Sequence, residues 1–501
     1  METLAKTPVN WSDLLNEGRR KKEGSGSTAT SNSDSRTEIE RDHDRILFST
    51  AVRRLADKTQ VFPLDKNDSV RTRLTHSHEV SNLARSIGTV LAFKHSVASS
   101  VPDSQRNLPA ICAAIGLVHD LGNPPFGHQG ESAIQSWFRD HKDIVLEPLA
   151  GYSEQLSQDF LKFEGNAQGF RLVTRLQLLN DNFGLDLTYA TLAAMMKYPT
   201  SSDSLSDESI ATKKHGFFAS EQSIAETVLQ RAGLSRGWRH PLACVMEACD
   251  DIAYVVLDAE DAVKKGLASV SDLYAFLRHH GKDDPMTERV VRESEKKHKE
   301  YREKANLSPA ELNDVSMQRF RVFAVGELVN TATDTFVQNE TFFRSEATKL
   351  SLLAHSKGDV LRRSLKDFAF RHAYQNRSVL RVELQGYNVI RGLMDMLWAA
   401  IVNRDPAKGV KSLRNCPFTR FVYGRISENY RRAFEDPPPE IAQLPERYRE
   451  CLLLTDMISG MTDSFAVDLH EELLGLVGNF KPESFLRLPS DKGTESKGKV
   501  D

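Results

Sequence analysis

Apolar side chains recur at three- and four-residue steps along almost the whole chain. Val80, Leu83, Ile87, Val90 and Leu91 share one helical face, and so do Leu108, Ile111, Ile115 and Val118. Runs that alternate with period two are few and short, so a large sheet is excluded and an all-α protein is predicted. At 501 residues the chain exceeds one small core and suits one large helical domain or two to three modest ones. The patterned body begins near Glu38. Before it, residues 1–37 read as a short helix around Trp11 to Leu15 followed by a small, polar, flexible arm over 20–37. Residues 38–280 hold all but the last of the motifs described below and form the expected catalytic core, and 281–489 continue the helical pattern and are expected to complete the pocket and supply an oligomer interface. Within the latter, 285–306 are charge-rich and read as a solvated helix or hinge. The run Asp436-Pro437-Pro438-Pro439-Glu440 cannot be helical throughout, and the polar tail 490–501 is expected to fray.

Lys plus Arg number 66 and Asp plus Glu 69, for a net charge of -3. A dominant basic surface is thereby excluded, although a local basic patch is not. No apolar run approaches the ~18 residues of a membrane span, and the first residues lack the apolar core of an export signal. The five cysteines form no CxxC pair and are scattered, which argues against a disulfide framework. The expected location is the reducing cytoplasm.

The most informative segment is Val118-His119-Asp120-Leu121-Gly122-Asn123-Pro124-Pro125-Phe126-Gly127-His128. An apolar helix ends in two ligand-type side chains, and Gly and a double Pro stop it. Alone, His119-Asp120 could be a helix C-terminus with a dipole-favoured imidazole. Two further features change that weighing. His76 opens the helix of Val80 to Leu91, and Asp250 lies inside a long apolar helix that begins near Pro241. A carboxylate there is costly unless something compensates it. One divalent cation held by His76, His119, Asp120 and Asp250 would do so. Two imidazoles with two carboxylates suit Mg, Mn or Co, and also Ni or Fe. Asp251 is ~100° away from Asp250 on the helix and cannot substitute for it. Asp250, Tyr254 and Asp258 share one face at four-residue steps.

The order His, His-Asp, Asp on successive helices resembles the HD phosphohydrolase superfamily, an all-α helical bundle. The likeness extends further. Ser49 to Leu64 reads STAVRRLADKTQVFPL, Arg73 to Ser77 RLTHS, and His119 to Glu131 HDLGNPPFGHQGE. Phe163 to Arg171 reads FEGNAQGFR, Gly184 to Pro199 GLDLTYATLAAMMKYP, Asp250 to Tyr254 DDIAY, and Ser459 to Asp463 SGMTD. Together these blocks resemble the bacterial deoxyguanosinetriphosphate triphosphohydrolases over roughly residues 38 to 470.

The resemblance implies hydrolysis of dGTP to deoxyguanosine and inorganic triphosphate, with water attacking the α-phosphorus. It assigns proton transfer to His128 and Glu131. From spacing alone, His128 could equally cap a loop while Glu131 stabilises a helix N-terminus. The resemblance also places Arg73 and Lys197 at the triphosphate, Gln60, Tyr254 and Asp258 at the sugar, and Tyr198 among the substrate-binding residues. Asn166 remains open between a substrate contact and a turn. The basic and aromatic stretch from Arg362 to Arg381 could bind nucleic acid, a neighbouring subunit's nucleotide, or only solvent. Relatives of this kind are oligomers, often hexamers, and some bind single-stranded DNA, so a homo-oligomer is expected. Other substrates compatible with the superfamily are several dNTPs, or a cyclic or hyperphosphorylated nucleotide. A non-enzymatic nucleotide or DNA sensor with a decayed site is the alternative of a different class.

Overall fold

A computed structural model describes residues 7–21, 35–64, 70–177, 182–304, 306–345 and 351–486. Most of the 20–37 arm and the 490–501 tail lie outside the described residues. Helices dominate, and among the described residues β-pairing is limited to isolated bridges such as Thr59 with Thr72. The principal helices, in chain order, are α1 (Glu38–Leu47), α2 (Arg73–Phe93), α3 (Ser104–Val118), α4 (Gly127–Asp140), α5 (Gly165–Arg171), α6 (Tyr189–Met195) and α7 (Pro241–Lys264). They are followed by α8 (Val270–His280), α9 (Pro285–Lys304), α10 (Pro309–Gln338), α11 (Asp359–Ala369), α12 (Arg377–Val402), α13 (Pro417–Arg425), α14 (Glu446–Ser459) and α15 (Asp463–Leu476). The charge-rich stretch thus forms α9, which packs on α10. No helix of the described residues is long and apolar enough to cross a membrane.

Local chemistry sets the helix starts. Thr72 and Thr75 cap α2 reciprocally, and Ser308 and Glu311 do the same for α10. Pro241 occupies the first turn of α7, where its missing N–H costs nothing, and the His240 imidazole accepts from Leu242 N.

Burial divides the molecule into two apolar clusters. The larger runs from Val9 to Val379 and is centred on α7, which packs against α2, α3, α10 and α11. The second runs from Phe126 to Leu486 and is centred on α12, which packs against α4, α13, α14 and α15. The clusters are interleaved in sequence, since α4 belongs to the second while α7 belongs to the first. In the first cluster α2 and α3 approach so closely that a Cβ on Gly116 would lie 2.7 Å from the Ser81 Cα. Ser81 Oγ donates to the Ala113 carbonyl at the same contact, 2.8 Å away.

Charged side chains join the clusters. Arg171, at the end of α5, is buried and donates to both carboxylate oxygens of Asp456 on α14 and to Glu221. Its guanidinium pKa is raised: burial opposes the charge, but Asp456 and Glu221 outweigh it. Arg171→Ala would leave two carboxylates buried without their cation. It is expected to cost ~3–5 kcal/mol of stability in chemical denaturation. An unchanged unfolding midpoint would show that the network holds nothing together.

Candidate active site

The site lies where the two clusters meet. α2, α3 and α7 deliver one set of side chains from the first cluster, and α4 delivers another from the second. His76 is on the first turn of α2, and His119 and Asp120 directly follow α3. Each of these three residues offers a ligand atom, all within 4.8 Å of one another. Asp250, on the middle turns of α7, faces both imidazoles. Its Oδ1 lies 3.2 Å from His76 Nε2 and 3.5 Å from His119 Nε2. Asp251 is not among the residues that line the cavity.

These four residues fit a divalent cation. His119 Nδ1 sits 2.8 Å from the Gly116 carbonyl, which can only accept, so Nδ1 carries the proton and Nε2 keeps its lone pair. That Nε2 is buried without a hydrogen-bond partner. The surrounding field is one that attracts a cation. Burial works against a charged imidazole, yet Asp120 and Asp250 raise the His119 pKa to about 9. Burial likewise opposes charge on Asp120, but Arg73, His119 and His76 lower its pKa to about 2. Arg73 Nη1 donates to Asp120 Oδ2 at 2.7 Å, and Asn123 Nδ2 donates to Oδ1. Asp120 is thus oriented from both sides.

His128 and Glu131 stand one turn apart at the start of α4. His128 Nδ1 lies 3.0 Å from Glu131 Oε2, and Gly165 N donates to Glu131 Oε1 at 2.9 Å. The carboxylate is buried while the imidazole is 88% exposed, so Glu131 is a fixed anchor and His128 projects into the cavity. The hydrogen bond that His128 donates to the Glu131 carboxylate is the main cause of its raised pKa.

The cavity measures about 590 Å³. The residues named so far line it, apart from Asp251, Gly116 and Gly165, together with Gln60, Asn166, Lys197, Tyr198, Lys214 and Tyr254. Lys197 Nζ is 3.4 Å from Asp250 Oδ2. The Gln60 Oε1 is buried without a partner. Asn166 donates to Glu164, which is paired with Lys214.

One expected contact is not formed. Asp258 does not reach the cavity: it is buried behind Tyr374, whose hydroxyl donates to its Oδ2. The four-residue step that carries α7 from Asp250 to Tyr254 remains on the cavity wall, but the next step goes under a neighbouring ring. Tyr374 itself stacks on Tyr254 with centroids 5.9 Å apart and planes at 17°.

Lys366, Phe370, Tyr374, Gln375, Leu380 and Glu383 also line the cavity. The sequence predicted that this region completes the pocket, but marked the neighbourhood of these residues as a basic and aromatic stretch without assigning them to it. Lys366, Phe370 and Tyr374 recur at four-residue steps across α11 and the single π-helical turn Phe370–Tyr374. That periodicity was the available signal. Lys214 lies in an irregular segment and carried none.

A helical bundle with His, His-Asp and Asp gathered on the wall of one cavity defines an HD-domain protein, and the HD domain family model matches residues 73–163. A deoxyguanosinetriphosphate triphosphohydrolase-like protein of Listeria monocytogenes is 35% identical over 478 residues, covering 93% of this chain and 100% of the relative. A probable deoxyguanosinetriphosphate triphosphohydrolase of Pseudomonas aeruginosa is 33% identical over 88% of this chain and 93% of its own length. The deoxyguanosinetriphosphate triphosphohydrolase of Salmonella typhimurium is 32% identical over 87% and 94%, respectively. This chain belongs to the deoxyguanosinetriphosphate triphosphohydrolase family of HD-domain hydrolases.

Glu131→Gln removes the charge that holds the His128 proton. The His128 pKa, read by NMR titration, is expected to fall towards its ordinary value of ~6.5. The imidazolium would then be lost at lower pH than in the wild type. An unmoved titration would show that the pair is not coupled.

Proposed function

We propose that this chain hydrolyses dGTP to deoxyguanosine and inorganic triphosphate, with water attacking the α-phosphorus. The observation that carries the reading is one cavity that joins a cation-binding quartet to an anchored, exposed imidazole and to several basic side chains. The names of its relatives supply the substrate class. A divalent cation such as Mg, Mn or Co, held by His76, His119, Asp120 and Asp250, would supply Lewis-acid polarisation of the phosphoryl group and lower the pKa of water.

The protein's own groups account for the remaining requirements. Arg73, Lys197, Lys214 and Lys366 line the cavity with positive charge that can neutralise a triphosphate. His128, kept protonated to higher pH by Glu131, is placed to give a proton to the departing 5′ oxygen as general acid. Gln60 presents a buried amide oxygen with no partner, suited to accept from a 3′ hydroxyl. The Tyr254–Tyr374 stack forms a flat wall for the deoxyribose. Asp258 acts through Tyr374: it occupies the phenol's proton and fixes the ring.

Three outcomes follow. His119→Ala is expected to abolish both tight divalent-metal binding and turnover, and full metal occupancy by elemental analysis would contradict the ligand set. His128→Ala is expected to keep its metal while kcat falls by ~10²–10⁴. Near wild-type kcat would leave His128 without a role in proton transfer. Tyr254→Ala is expected to narrow the preference for dGTP over GTP, because stranding a buried 2′ hydroxyl against the ring costs ~1–3 kcal/mol. Comparing kcat/KM for both nucleotides decides this, and an unchanged ratio would reduce Tyr254 to core packing.

A further inference from the structure

The segment between the metal-type ligands and His128 is held by residues far away in sequence, and that arrangement rests on no catalytic contact described above. Phe126 adopts φ +61° and Gly127 φ +55°, two consecutive left-handed residues immediately before His128. For a phenylalanine this conformation is strained, and it persists only where the surroundings enforce it. Three contacts do so. The Phe126 ring lies on Gly386 of α12, where a Cβ would come within 2.4 Å of it. Phe126 N donates to Asp463 Oδ1 at 3.0 Å. At the other end of the segment, the Lys58 ammonium donates to the Asn123 carbonyl at 2.6 Å and to the Ser459 carbonyl at 2.7 Å.

Asp463 is the hub. It is 2% exposed, and its Oδ2 accepts from both the N–H and the hydroxyl of Thr59. An acid in the first turn of a helix ordinarily serves that helix. Here Thr462 performs the capping by accepting from Phe465 N, and both Asp463 oxygens point away from α15. The SGMTD block at the end of the chain thereby reaches the KTQVF block and the turn before α4.

We infer that Asp463 is a positioning residue for the reaction proposed above, holding the left-handed Phe126–Gly127 turn that aims His128 across the seam towards the ligands on α2, α3 and α7. The inference rests on that reading of His128. Without Asp463 the turn relaxes, the first residues of α4 fray, and His128 leaves Glu131.

The test uses the full-length chain with Asp463→Ala and Asp463→Asn, alone and combined with His128→Ala. Asp463→Ala is expected to lower kcat for dGTP by ~10²-fold, the scale of a misplacement of about 1 Å, with KM and metal content little changed. In the His128→Ala background it should cause no further loss of kcat. Losses that multiply in the double variant would overturn the inference, since Asp463 would then act elsewhere. Asp463→Asn keeps the volume and one acceptor, so it should show the same pattern at smaller amplitude, and it serves as the test if Asp463→Ala does not fold. NMR titration of His128 separates this inference from the proposed activity. If the wild type does not hydrolyse dGTP, that activity falls, while loss of the raised His128 pKa in the Asp463 variants would still support the positioning role. Unmoved His128 resonances would refute it.

Discussion

Two carboxylates, Asp120 buried and Asp250 half-buried, set beside two imidazoles are the constraint around which this molecule is organised. Asp120 and Asp250 stand at the ends of interactions that α2, α3 and α7 must all satisfy at once. Apolar helices do not bury such groups without compensation. Arg73 supplies part of it to Asp120, and Lys197 part of it to Asp250. What remains is a cluster whose field favours a cation, with one imidazole nitrogen aimed into it and bonded to nothing. The close helix packing at Gly116 and Ser81 brings α2 against α3 and so sets the spacing of His76 from His119.

The second organising fact is the seam. The metal-type ligands belong to one apolar cluster and the His128–Glu131 pair to the other, so the spacing between them depends on how the two clusters are held in register. Arg171 with Asp456 and Glu221 bridges the clusters on one side, and Lys58 and Asp463 brace the connecting segment on the other. A site divided in this way can be aligned by residues that never touch a substrate. Glu131 is itself fixed within the second cluster, since it accepts from Gly165 N while holding His128.

Much of this was legible in the sequence because it rests on local patterns. Helical periodicity gave the all-α class, and the His-Asp pair at the end of an apolar helix marked the centre of the site. Adjacent helical residues differ by ~100° in direction, so only one of Asp250 and Asp251 can face the site, and the register of the resembled superfamily pointed to Asp250. The interleaving of the two clusters was not legible, since it depends on long-range packing of α4 against α12. Asp258 shows where face-counting fails: it shares a helical face with Asp250, but Tyr374 from a distant segment covers it. Lys214 carried no pattern, and the Lys366, Phe370 and Tyr374 steps were masked by the many other basic residues around them.

The proposed reaction attacks a nucleotide's α-phosphate with water in the cavity between the two clusters. Hydrolysis of dGTP in H₂¹⁸O, followed by mass spectrometry of the products, tests it most directly. Attack at phosphorus yields deoxyguanosine without label and inorganic triphosphate carrying one ¹⁸O. Label in deoxyguanosine, or release of pyrophosphate or orthophosphate in place of triphosphate, would contradict it.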